Sequence, residues 1–131
     1  GPGLPQGAQT KALVELVDMY PTLCDLTDLP HPEHLHGKSL APILKDPQSA
    51  GRPAAFSRFS GCEAVKTDRY LYTEWTDEEV RITPMLFDHL KDPDENENIA
   101  NRPESAPIVE RHSRMIKQEL LRTRQIDVRK F

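Results

Sequence analysis

Lys66-Thr67-Asp68-Arg69-Tyr70-Leu71-Tyr72-Thr73-Glu74-Trp75 decides the fold. Aromatic and β-branched side chains crowd its second half, and such residues suit a pleated, half-buried surface better than a helix. The pattern predicts a strand from Arg69 to Trp75, paired with Glu63 to Thr67 in a hairpin that turns at Asp68. Working outward, Ala54 to Ser60 carries Phe56 and Phe59 without sustained helical spacing, and reads as a strand closed by a Ser60-Gly61 break. On the other side, Asp77, Glu78 and Glu79 are adjacent like charges that belong in a solvated turn. One or two short strands follow over Val80 to Ile82 and Met85 to Phe87, before the turn Lys91-Asp92-Pro93-Asp94-Glu95.

Helical spacing appears on both flanks. Ile108, Val109, His112, Met115, Ile116 and Leu120 predict a closing helix from Pro103 or Pro107 to about Thr123, with the basic tail Arg122 to Lys130 suiting the negative end of the helix dipole. From Thr10, the residues Leu13, Leu16, Val17, Tyr20, Leu23, Cys24 and Leu26 predict an amphipathic helix with one buried stripe, Glu15, Asp18 and Asp25 facing elsewhere. Pro21 marks a kink or the start of a second helix, because proline lacks the amide proton. Pro30 to Gly37 reads as a loop, Ala41 to Leu44 as a helical turn and Asp46 to Pro53 as another loop. The fold class is α+β: a small antiparallel sheet of about four strands covered by the C-terminal helix. The first helix has no evident partner among the short elements.

A chain of 131 residues with twelve prolines and 6% aromatics supports one modest, loop-rich core. The formal charge of -4 argues against nucleic acid, which demands a concentrated basic face. Every apolar run falls short of the ~20 residues of a membrane span, and the start lacks a basic-then-apolar signal pattern. Gly1 to Gln9 reads as an irregular lead-in that needs something else to pack against. Cys24 and Cys62 have neither zinc nor redox spacing and read as ordinary thiols, a disulfide between them being left open.

Four segments in order carry a family resemblance. Leu13-Val14-Glu15-Leu16-Val17-Asp18-Met19-Tyr20-Pro21-Thr22-Leu23 resembles the helix-and-proline signature that follows the catalytic region of type I sulfatases in the alkaline phosphatase superfamily. Gly37-Lys38-Ser39-Leu40-Ala41-Pro42-Ile43-Leu44 is similar to the next landmark, and Lys66 to Trp75 to the hairpin of the C-terminal subdomain in iduronate-2-sulfatase-like enzymes. Leu86-Phe87-Asp88-His89-Leu90-Lys91-Asp92-Pro93-Asp94-Glu95 resembles the strand ending in an Asp-Pro turn. The resemblance implies that residues 1–45 end the parent's N-terminal α/β domain and that 46–131 form the C-terminal subdomain. It implies an N-terminal catalytic domain as partner, a sulfated sugar as the parent's substrate, and a periplasmic, secreted or lysosomal-type location. The parent would use calcium and a formylglycine made from a Cys/Ser-X-Pro/Ala-X-Arg motif.

Neither Cys24 nor Cys62 fits that motif, and Ser105 has Pro107 in place but Val109 where arginine is required. Ser105 therefore reads as a helix cap or a surface serine, and no catalytic residue is assigned. Asp88-His89 imitates a sulfatase metal pair in the wrong context and reads as structural. His31, His34 and His36 read as a solvated loop rather than a zinc site, and Gly37-Lys38-Ser39 lacks the upstream glycine of a phosphate loop. No metal site is assigned. Ser57, Arg58 and Lys66 are the candidate substrate-binding residues. Cationic side chains suit a sugar sulfate or carboxylate, as would Arg69, and the family's segment after the first strand borders the substrate pocket. The competing readings are a stand-alone binding or scaffolding module and a part of a phosphatase or phosphonate hydrolase.

Overall fold

The structure, a computed structural model, describes residues 3–75 and 83–124. In order it contains α1 (Met19–Leu26), α2 (Ala41–Lys45), β1 (Ala55–Phe59), β2 (Cys62–Lys66), β3 (Tyr70–Trp75), β4 (Met85–Asp88) and α3 (Ala106–Arg124). Short 3-10 turns at Leu16–Asp18 and Pro103–Ser105 lead into α1 and α3. The chain forms two compact units, Gly1–Pro53 and Ala54–Phe131.

The second unit is an antiparallel meander in the order β1-β2-β3-β4. Ser60 and Gly61 join β1 to β2 with φ of 47° and 81°, the left-handed pair that lets a two-residue hairpin match the twist of its strands. At the next hairpin the Thr67 hydroxyl accepts from the Tyr70 N–H at 3.1 Å. The strand predicted at Val80 to Ile82 and the turn at Asp77 to Glu79 lie outside the described residues.

Pairing places Phe56 opposite Val65, Val65 opposite Tyr72, and Tyr72 opposite Leu86. That row clusters with Ile116 of α3, and Ile108, Val109, Met115 and Leu120 pack around it. Val65 and Leu86 are 0% exposed, and burial of each such side chain contributes roughly 1.5–3 kcal/mol. His112 lies in the same layer, edge-on to Tyr70 with ring centroids 5.6 Å apart. The opposite face of the sheet carries Ser57, Cys62, Ala64, Lys66, Leu71, Thr73, Trp75, Met85 and Phe87, because side chains alternate along a strand.

The first unit corrects the expected buried stripe. Helical structure begins at Leu16 rather than Thr10, and Pro21 sits in the first turn of α1, where its missing N–H costs nothing. Leu16 is 85% exposed, with Val17, Met19, Tyr20, Leu23 and Leu26 also exposed, while Cys24 is buried. Of the expected polar face, Asp25 stays exposed, but Asp18 is turned inward and is 0% exposed. Its carboxylate accepts from the N–H of Glu15 at 2.9 Å and of Lys38 at 2.7 Å, and from both Nε and Nη2 of Arg52. Thr22 adds to the clamp by accepting from the Leu40 N–H at 2.8 Å. Backbone groups of 15 and 38–40 have no ladder to join, so polar side chains must satisfy them.

Candidate functional site

Pairing separates the sequence-predicted residues. Ser57 and Lys66 share the face opposite α3, with Lys66 across from Ala55 and Ser57 across from Ala64. Arg58 is paired in register with Glu63 on the other face, and its Nε donates to the Glu63 carboxylate. Ser57 is exposed and without a strand on its outer side, since β1 is the sheet edge. Lys66 is half-buried. Its ammonium meets Nδ1 of His89 at 2.6 Å, and Nε2 of His89 meets Glu95 at 2.8 Å.

Asp88 is held by an ion pair and by the turn that follows β4. Arg69 donates to its two carboxylate oxygens at 2.8 and 2.6 Å, and the Leu90 N–H donates at 3.2 Å. The Arg69 hydrogen bonds hold the Asp88 carboxyl below the usual carboxylate range, against a smaller opposing effect of burial. Arg69 also lies over the Tyr70 ring, 4.9 Å from its centroid. Committed to Asp88 in this way, it is less available to a ligand than sequence reasoning allowed.

Sequence reasoning missed a cleft of about 550 Å³ bordered by Arg69, Tyr70, Lys91, Arg102, Ser105 and Ile108. The end of β4, its following turn and the start of α3 meet there, positions too far apart in sequence for spacing to reveal. Two of its cations are already paired, Arg69 with Asp88 and Arg102 with Glu97. Ser105 corrects the surface reading: it is 2% exposed, in the turn that precedes α3.

His31 pairs with Asp25 at 2.6 Å, and the Asp25 carboxyl is held low first by Ser39 and then by His31. Among the described residues, no group of three or more His, Cys, Asp or Glu side chains converges to hold a metal ion. Cys24 and Cys62 are free thiols. Burial, and next the Glu63 charge, push the Cys62 thiol up, opposite to what a nucleophile needs. With no thiol or serine in the oxidation motif either, the described residues do not fit calcium or formylglycine.

Residues 2–125 match the family described as N-sulphoglucosamine sulphohydrolase, C-terminal. Arylsulfatase K of Gallus gallus is 36% identical over 130 residues, which cover 88% of this chain and 24% of that protein. The solved structure of a 2-O GAG sulfatase superimposes with a TM-score of 0.78 at 29% identity, covering 100% of this chain and 30% of that one. At lower similarity, the phosphonate monoester hydrolase of Agrobacterium radiobacter superimposes with a TM-score of 0.64 at 25% identity, over 86% of this chain and 25% of that one. The chain spans a fifth to a quarter of the length of the curated relatives it matches.

Proposed function

This chain belongs to the N-sulphoglucosamine sulphohydrolase C-terminal family, and from that premise we propose that it is the C-terminal part of a sulfuric ester hydrolase whose chemistry stands in an N-terminal catalytic domain. The observation that carries the reading is the exposed row Leu16, Val17, Met19, Tyr20, Leu23 and Leu26. A contiguous apolar surface of this kind is a face built to be covered. Residues 1–45 then complete the N-terminal α/β domain, and 46–131 are the C-terminal subdomain. Calcium and formylglycine belong to the catalytic domain.

The finer reading is an iduronate-2-sulfatase-like parent acting on a sulfated carbohydrate. Ser57 and Lys66 serve as substrate contacts from the sheet face opposite α3, with Arg58 at the β1 end. A hydroxyl and an ammonium on one face suit the sulfate or carboxylate of an acidic sugar. The likeness to a phosphonate monoester hydrolase keeps a second reading, in which the parent cleaves a phosphonate ester.

The test is turnover of a chromogenic aryl sulfate, with added calcium, by the 131-residue chain and by the full-length parent, beside an aryl phosphonate monoester. Sulfate turnover by the parent alone is the expected result. Turnover by the chain itself would overturn the division of labour, a parent selective for the phosphonate would favour the second reading, and an inactive parent would favour a scaffolding module.

A further inference from the structure

β2 ends on Lys66, β4 runs directly into His89, and the following turn brings Glu95 within reach of the same ring. Three titratable side chains from three segments thus stand in one row, with Nζ to Nδ1 at 2.6 Å and Nε2 to Oε1 at 2.8 Å. An ammonium has only donors, so Nδ1 must accept, and the ring's one N–H sits on Nε2 and donates to the carboxylate. Glu95 occupies the left-handed region, φ 57°, an uncommon conformation for a residue that is not glycine. The His89 and Glu95 side chains are 17% and 39% exposed, so water and protons reach the row.

We propose that this row is a proton-gated anion contact, in which neutral His89 holds the Lys66 ammonium and protonated His89 releases it to a sulfate or carboxylate of the sugar substrate. The inference rests on the reading of Lys66 as a substrate contact. One proton from hydronium bonds to Nδ1, leaving water, and the Lys66–His89 hydrogen bond breaks. Nε2–H stays on Glu95, and no other bond changes. Once both ring nitrogens are donors, two cations face each other with no acceptor between them, and the flexible lysine stem swings away.

Glu95, bound to Nε2, and Asp92, whose carboxyl His89 helps to lower, oppose the charge of a protonated ring, but a protonated Nδ1 keeps no lone pair for the Lys66 ammonium, so that hydrogen bond is lost all the same. Asp88 on β4 is committed to Arg69, whose carbonyl accepts the His89 N–H at 2.8 Å. In the turn, Asp92 is bound by the Asn96 side chain and the Glu97 N–H, and Lys91 adds only a further positive charge. The residues across from Lys66, Ala55 on β1 and Leu71 on β3, are uncharged.

The test is nuclear magnetic resonance of the 131-residue chain, following the His89 ring nitrogens and the Lys66 ε-methylene during titration with inorganic sulfate. The neutral ring should carry its proton on Nε2 and the protonated ring on both nitrogens. Sulfate should bind at Lys66 roughly tenfold more tightly in acid, the factor gained when a competent state rises from about a tenth of the population to nearly all of it. His89→Gln keeps an amide acceptor but cannot titrate, and should abolish the gain. A gain that survives His89→Gln overturns the gate, as does a neutral ring protonated on Nδ1. If the ring titrates as described but sulfate never moves Lys66, the anion contact itself fails. None of these readouts depends on turnover, so loss of the sulfatase reading would be seen separately, in the parent's assay.

Discussion

Asp18 is buried, charged and bound to Arg52 and to two backbone N–H groups. Burial alone would push its carboxyl up, but hydrogen bonds from Arg52, Lys38 and Glu15 outweigh it and hold the group below 3.8. A carboxylate lowered on folding contributes stability above its unfolded value and loses it as the pH falls through the folded one. Asp18→Asn should cost about 2 kcal/mol in urea unfolding near neutral pH, because it removes the buried charged acceptor and leaves Arg52 to its second carboxylate, Glu15, and should remove part of the acid sensitivity below pH 3.8. His112 acts at milder pH. Burial, against a smaller opposing effect of the Ile108 carbonyl, lowers its imidazole from 6.5. The unfolded chain then binds a proton that the folded one refuses, so stability falls as the pH drops below 6.5. His112→Gln should flatten that slope in a series of urea melts, whatever it does to stability at high pH.

The sheet and α3 hold each other through one row of side chains. Ile116 is 1% exposed, whereas Leu121 on the same helix is 63% exposed. Ile116→Ala should cost about 3 kcal/mol through lost transfer energy and a residual cavity, while Leu121→Ala should stay within ~0.5 kcal/mol. In the first unit the close contact is backbone on backbone. A Cβ added at Gly37 would stand 2.0 Å from the carbonyl oxygen of Val17. Gly37→Ala should therefore push residues 36–38 off the Leu16–Asp18 turn and break the Lys38–Asp18 hydrogen bond. Hydrogen exchange at the Lys38 amide would report the loss, with protection at the β2 and β3 amides unchanged.

Across the whole chain, the exposed row from Leu16 to Leu26 is the feature with the largest consequence for behaviour. A hydrophobic dye such as ANS should bind the natively folded chain, and Leu16→Lys with Leu23→Lys should weaken that binding without lowering stability, since both side chains are solvent-facing. If the double variant unfolds instead, the row is packed in solution and the case for a covering domain is lost.

Local chemistry made much of this legible. The β-rich run at Tyr70 to Trp75, the Ser60-Gly61 turn and the Ile108 to Leu120 spacing placed three strands and α3 within a residue or two of where they lie, and four ordered landmarks carried the family. Each is a property of neighbours in sequence, where side-chain shape and the 2.0 or 3.6 residue period act directly. Tertiary structure alone decided which face of the first helical segment is buried: an apolar stripe points to whatever apolar surface is present, and Asp18 found backbone donors at Glu15 and Lys38 and a cation at Arg52 first. It also separated Ser57 and Lys66 from Arg58 by the pleat of the sheet, and brought Lys66, His89 and Glu95 into one row. Residues 23 positions apart, as Lys66 and His89 are, meet because strand register puts them there, and register depends on pairing across the sheet rather than on either sequence by itself.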